Sequence, residues 1–177
     1  EEGLTIVKKC LDRQTFHDFE WVVISPFSYY GSTSWVKEPE KRQEDNYNLN
    51  KCWNSGLRQC KGELIVSIVD MQWFPPDILE KFWLHYKDNP MSCVSGIGHQ
   101  YDRTENGKPE HCVWSNPLWR SEMFYPIQPI DCELCVTSLP RKGIFDVGGF
   151  DEEFDKYAAM SEKEMCIRMS KLGYTFF

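Results

Sequence analysis

The stretch from Leu49 to Asp77, NLNKCWNSGLRQCKGELIVSIVDMQWFPPD in its setting from Asn48, constrains this chain more than any other part. Leu49, Cys52, Trp53, Gly56, Leu57 and Cys60 recur at the spacing of one apolar helix face. Gly62 then reads as a helix stop in the left-handed conformation. Leu64, Ile65, Val66, Ile68 and Val69 form a short run rich in β-branched residues, as expected of a strand covered on both faces. Pro75 and Pro76 are expected to open the next helix at its first turn. Ile78, Leu79, Phe82, Trp83 and Tyr86 carry its buried face, and Asn89-Pro90 ends it. Asp70 thus stands at the carboxyl end of a buried strand, the edge at which open α/β sheets bind ligands.

Composition narrows the class. A chain of 177 residues is long enough for one domain with a real core, and 15% aromatic and 41% apolar residues exclude a disordered chain. No apolar run approaches the roughly 18 residues of a membrane span, and the longest ends at Asp70. The amino terminus, EEGLTIVKKC, has no signal-peptide pattern and there is no N-x-S/T sequon; both point to a cytoplasmic location. The net charge of -7 argues against a broad nucleic-acid surface, but leaves room for a single nucleotide held by a few local donors. The eight cysteines include several on apolar stripes (Cys52, Cys60, Cys166), so they read as reduced, mostly buried thiols. The competing reading is a zinc site drawn from Cys132, Cys135, Cys112, His111 and His99, although a lone CxxC is a weak signal.

Elsewhere the pattern predicts helices over residues 4–13, 140–146 and 162–172, and strands over 19–25, 92–98 and 131–138. Residues 26–47 read as loop, with the charge run KEPEKRQED as a solvated face. Residues 99–130, rich in proline and aromatics, read as an irregular insertion that supplies acceptor or lid contacts. The chain opens on a helix and closes on Tyr174-Thr-Phe-Phe177, which looks like a strand beginning. The expectation is a single domain over 1–177 lacking its first, central strand and its C-terminal end.

Three blocks then point to one family. They are residues 11–24, LDRQTFHDFEWVVI; residues 54–77, NSGLRQCKGELIVSIVDMQWFPPD; and RKGIFDVGGFDE (141–152) followed by SEKEMCIRMSKLGY (161–174). In order and spacing they resemble the family 2 glycosyltransferases. The resemblance implies a GT-A type fold: Rossmann-like, three-layer α/β/α, with a mainly parallel mixed sheet. It also implies transfer of a sugar from a nucleotide-diphosphate sugar to an acceptor hydroxyl, inverting at the anomeric carbon, with a Mn²⁺ or Mg²⁺ ion. A cation held by carboxylates stabilises the leaving diphosphate, while a second carboxylate takes the acceptor's proton.

Carried over residue by residue, the resemblance assigns Asp70 and Gln72 to the metal turn D-x-D, Glu162 to the catalytic base, and Ser25, Ser28, Asn54 and Asp70 to the donor. Asp151 borders the acceptor. The chain departs from the pattern in three places: Gln72 replaces the second aspartate, Ser161 the glutamate before the base, and Ser25-Pro-Phe-Ser28 the acidic end of the second strand. Each residue also has a structural reading. Ser161 and Glu164 match a capping box, and Glu162 suits a helix N-terminus by charge alone. Asn54 reads equally as a helix residue with a satisfied amide, Ser25 as a strand end, and Asp151 as a turn cap. Gly148 and Gly149 serve backbone geometry. The departures favour a second function, a catalytically weakened domain that binds a sugar nucleotide or glycan or serves as a structural module.

Overall fold

The computed structural model describes residues 2–103, 109–118, 124–157 and 160–177. The elements follow in the order α1 (Glu2–Leu11), β1 (Val22–Ser25), β2 (Ser34–Lys37), α2 (Leu49–Gln59), β3 (Leu64–Ile68), α3 (Ile78–Asp88), β4 (Ser92–Ser95), β5 (His99–Arg103), β6 (Pro109–Ser115), β7 (Val136–Pro140), α4 (Arg141–Asp146), α5 (Ser161–Lys171) and β8 (Thr175–Phe176). Short 3-10 turns occupy Pro129–Asp131 and Glu152–Lys156.

The main sheet has the order β3-β7-β4-β8. β7 is antiparallel to both β3 and β4, whereas β4 and β8 are parallel. Three strands therefore point one way, but most neighbouring pairs are antiparallel, and the sheet is mixed rather than mainly parallel in its ladders. The reason is the connection: β7 returns from β4 through a hairpin and loop, without the crossover helix that parallel neighbours require. β1 and β2 form a separate parallel pair.

Side chains along β3 alternate between two cores, as a period of two demands. Ile65 joins Leu139, Ile144, Met165 and Met169 in a cluster covered by α2, α4 and α5. Val66 and Ile68 face the opposite way, toward Val7, Cys10 and Leu11 of α1 and Leu79 of α3. Helices thus cover both faces of the sheet, which is why β3 reads as a continuous apolar run.

Several local expectations are corrected. α2 stops at Gln59, with Cys60 extended as its cap, and Gly62 is not left-handed. The Glu20 carboxylate instead accepts from the amides of Lys61 (2.5 Å) and Gly62 (3.2 Å). α3 begins at Ile78, two residues after the prolines, with Asp77 as its N-cap residue. The carbonyls of Pro75 and Pro76 accept from Gln14 Nε2 and the Thr15 amide, both at 2.8 Å. Gln14, 2% exposed, also accepts from the Leu79 amide at 3.1 Å and so ties the end of α1 to the start of α3.

The region 26–47 contains β2, pinned beside β1 where Thr33 Oγ1 accepts from the Trp21 amide (2.9 Å). The charge run is not simply solvated, because Asp45 is buried against Arg42 (2.9 Å) and Lys51 (2.8 Å). Residues 99–115 contain the antiparallel pair β5–β6. His99, Gln100, Tyr101, Cys112, Val113 and Ser115 are all exposed, so no buried face imprinted an alternation on the sequence. Trp119 lies outside the described residues, as do the side chains of His111 and Trp114. Among the described residues, no helix is long and apolar enough to cross a membrane.

Candidate functional site

The turn after β3 carries the local signs of a site. Asp70 is exposed, and Met71 sits at φ +63°. A non-glycine residue in the left-handed region costs about 1–3 kcal/mol and survives only where its surroundings impose it, often at a ligand-binding turn. The first turn of α1 supplies part of that constraint. A Cβ placed on Gly3 would lie 2.8 Å from Asp70 Oδ2 and 2.9 Å from Met71 Cγ, so only glycine allows α1 this close. Gln72 is half-buried beyond it, and Trp73 is 62% exposed with the Arg13 guanidinium 5.9 Å above its ring.

Asp70 shares a cleft of about 760 Å³ with Ser25, Pro26 and Phe27 at the end of β1. Ser25 is buried and fully engaged: its hydroxyl donates to the Phe27 carbonyl and accepts from Trp35 Nε1 at 3.1 Å. Ser28 is exposed on the loop that follows. The strand-end turns of β1 and β3 therefore converge on one cleft, the arrangement expected of a ligand edge.

Glu162 lies half-buried in the first turn of α5. Cys135 connects it to the Asp70 turn. The Cys135 carbonyl accepts from the Val69 amide at 3.3 Å, one residue before Asp70. Burial pushes the Cys135 thiol above its ordinary range, and the charges of Glu133 and Glu162 add to the effect. Nothing in the sequence pattern marked Cys135 as the meeting point. α5 is anchored beneath by Cys166, whose thiol is pushed well up, first by its hydrogen bond with Cys132 and then by burial.

The capping box is not formed. Met160, at φ +81°, is the N-cap residue of α5 and makes no side-chain cap, so Ser161 stands one position too late to serve as cap. Ser161 Oγ lies 3.5 Å from Glu162 Oε2 instead. Glu164 takes a two-point ion pair from Arg168 (2.6 and 2.7 Å), and Arg168 also donates to the carbonyls of Val147 and Gly149. That guanidinium locks α5 to the glycine turn.

Asn54 and Asp151 belong to a second concavity of about 630 Å³, shared with Arg58, Gly149 and Arg168. Asn54 accepts from the Phe150 amide (2.9 Å) and donates to the Phe150 carbonyl (2.9 Å) and Glu152 (3.0 Å). Its amide thus clamps the G-G-F turn, where Gly148 and Gly149 have φ of +85° and +78°. Asp151 accepts from the Glu153 amide at 2.9 Å and caps the following 3-10 turn. The structure does not bring Asn54 or Asp151 into the cleft of Asp70 and Ser25.

Among the described residues, no group of three or more His, Cys, Asp or Glu side chains is placed to hold a metal. The Asp70 turn offers one carboxylate and the neutral carbonyl of Gln72. That set fits a hard cation only as one that takes most of its ligands from substrate phosphate and water, a common mode for Mg²⁺.

No protein-family profile and no curated protein matches the sequence. Among solved structures, the fold is similar to that of the glycosyltransferase TarS from S. aureus, with a TM-score of 0.65 at 13% identity. The likeness covers 100% of this chain and 33% of TarS, so the chain spans about a third of that protein's length. At this identity the likeness is one of fold.

Proposed function

We propose that this chain is a glycosyltransferase domain of GT-A type that moves a sugar from a nucleotide-diphosphate sugar to an acceptor hydroxyl with inversion. The observation that carries the reading is Asp70, exposed in a strained turn at the carboxyl end of β3, beside the end of β1 in one cleft. The fold likeness to a glycosyltransferase over the whole chain supports it.

In this reading Asp70, with Gln72, faces the donor diphosphate and would hold Mn²⁺ or Mg²⁺ there. The bound cation would supply charge stabilisation to the leaving diphosphate. Ser28 and the ring of Phe27 face the nucleoside, and Ser25, its hydroxyl held by Phe27 and Trp35, shapes that end of the cleft. Trp73 offers an apolar platform to a sugar ring. Glu162 takes the proton of the acceptor hydroxyl as the new glycosidic oxygen bond forms. Asn54 and Asp151 lie outside that cleft, and in this reading they support the site by holding and capping the G-G-F-D-E turn.

A second reading, a domain that binds a sugar nucleotide without turning it over, is favoured by the neutral Gln72 and by the single carboxylate of the turn. One panel separates the two. Nucleoside diphosphates that bind only the folded state raise its melting temperature. The enzyme reading expects such a shift to grow with Mn²⁺ and to accompany hydrolysis of the matching nucleotide sugar. Binding without turnover in any acceptor screen leaves the binding domain, and no shift with any nucleotide removes both.

A further inference from the structure

The concavity beside the G-G-F-D-E turn is separate from the Asp70 cleft, and hydrogen bonds fix its walls. The Asn54 amide accepts from the Phe150 amide and donates to its carbonyl, and the Arg168 guanidinium ties α5 to the carbonyls of Val147 and Gly149. Leu57, Ile144 and Phe150, all buried, form the floor. Phe145 gives an aromatic wall, 45% exposed, with the Arg141 guanidinium 4.5 Å from its ring centre. At about 630 Å³ the space falls within the roughly 300–1,000 Å³ of small-molecule sites, and the clamps on its walls preorganise it.

The rim carries hydrogen-bonding capacity that the fold does not consume. Among the described residues, exposed Arg58 spends one donor group, on Ser55 Oγ at 3.1 Å. Asp151 spends one oxygen on the Glu153 amide (2.9 Å) and Glu152 one on Asn54 Nδ2 (3.0 Å), so each keeps a second. Glu164 and Arg168 are spent on each other. The rim therefore sets one open guanidinium against two carboxylates.

That balance selects the ligand. A phosphate or carboxylate drawn to Arg58 meets the charges of Asp151 and Glu152 in the same concavity, and an ammonium drawn to those carboxylates meets Arg58. A hydroxyl both donates and accepts, so a neutral ring bearing several of them satisfies both kinds of group. A two-oxygen carboxylate and a forked guanidinium each match a pair of adjacent hydroxyls. The C–H face of such a ring is apolar and packs on the face of Phe145.

We propose that this concavity is a binding site for a neutral saccharide, with Arg58, Asp151 and Glu152 on its hydroxyls and Phe145 against a ring face. Of the lining residues only Leu57 also lines the Asp70 cleft, so a saccharide held here leaves that cleft open. If the transferase reading holds, the site grips a remote part of a glycan acceptor and keeps the chain beside the transfer cleft between turnovers. The binding itself does not rest on that reading.

The test is an NMR titration of the isotope-labelled full chain with maltohexaose, cellotetraose and chitotetraose, and with a hyaluronan hexasaccharide as the anionic probe. At least one neutral probe, at about 1–10 mM, is expected to shift the amides of Arg58, Phe145, Gly148 and Asp151 and to leave those of Ser25 and Asp70 in place. Arg58→Ala, a change on an exposed helix surface, is expected to weaken that binding at least about tenfold. Asp151→Asn, which retains an acceptor for the Glu153 amide, is expected to weaken it at least about threefold, and Asp70→Ala to leave it unchanged. No shift with any neutral probe overturns the proposal, as do shifts confined to the Asp70 cleft, undiminished binding by Arg58→Ala, or tighter binding of the hyaluronan probe. No nucleotide is added, so a failure here leaves the transferase reading standing, and a failure of that reading leaves this site standing.

Discussion

Asp155 accepts hydrogen bonds from both the backbone amide and the side-chain amide of Asn50, each at 2.9 Å, across 105 residues of sequence. It also accepts from the Lys51 amide at 3.2 Å, and its own carbonyl takes the amides of Asn46 and Tyr47. Asn48, the residue at the N-cap position of α2, provides no side-chain cap. The cap of α2 is thus a fully buried carboxylate from the far end of the chain, and it holds the 42–51 loop, α2 and the G-G-F-D-E turn together.

Replacing that cap leaves buried amides without partners. Asp155→Ala is expected to lose about 2–3 kcal/mol and lower the melting temperature by roughly 5–10 °C. Asp155→Asn, which keeps one acceptor oxygen, is expected to lose about half as much. Equal losses in calorimetry would show that charge, rather than acceptance, is what α2 needs.

The two glycines of the turn make different demands. Both have positive φ, but a Cβ on Gly149 would lie 2.7 Å from Asn54 Oδ1, while none of the described atoms lies within 4 Å of one on Gly148. Gly148→Ala is expected to cost about 1 kcal/mol from backbone strain alone, and Gly149→Ala about 2–3 kcal/mol because it also displaces the Asn54 clamp. Urea unfolding of the two variants provides the comparison.

Acid sensitivity should trace to Asp45. Its hydrogen bond from Arg42, with smaller help from Lys51 and against the effect of burial, holds the carboxyl well below its ordinary value of 3.8. A depressed carboxylate contributes stability that is present above the unfolded value and is lost as pH falls through the folded one. The stability gap between the parent and Asp45→Asn is therefore expected to be full at pH 6 and to shrink steadily below pH 4. A gap independent of pH would assign the loss to packing.

If the transferase reading holds, Asp70→Ala and Glu162→Gln fail differently. The first is expected to abolish the Mn²⁺-dependent part of nucleotide-diphosphate binding. The second is expected to leave donor binding intact and lower kcat by roughly 10²–10⁴-fold, the range of a general base. Gln72→Asp is expected to tighten Mn²⁺ binding, measured by calorimetry; an unchanged affinity counts against this turn as the cation site.

Thiol chemistry reports on the packing of α2. Burial, with the charges of Glu38 and Asp155, pushes the Cys52 thiol up to about 11 from 9.0. Near neutral pH its thiolate fraction is about a hundred-fold lower than that of an ordinary thiol, so alkylation by iodoacetamide is expected to be slow until the protein unfolds. Rapid labelling of Cys52 in the folded protein, located by mass spectrometry, would contradict the packing of α2 against this region.

The sequence alone determined the elements whose pattern is local and strong. The stripe from Leu49 to Cys60 places α2, the run at 64–69 places β3, and together they put Asp70 at a strand's carboxyl end. Each of these rests on residues a few positions apart, whose burial shows directly as a period of two or 3.6. The tertiary structure decided what depends on distant partners. It turned Asn54 inward to clamp Phe150, gave Glu164 to Arg168 rather than to a cap, and buried Asp45 inside a run that reads as surface. It also set β7 antiparallel between β3 and β4 and brought Cys135 between Val69 and Glu162. No local period encodes such meetings, because the energy of a hydrogen bond or ion pair across a hundred residues exists only once the cores on both faces of the sheet have formed.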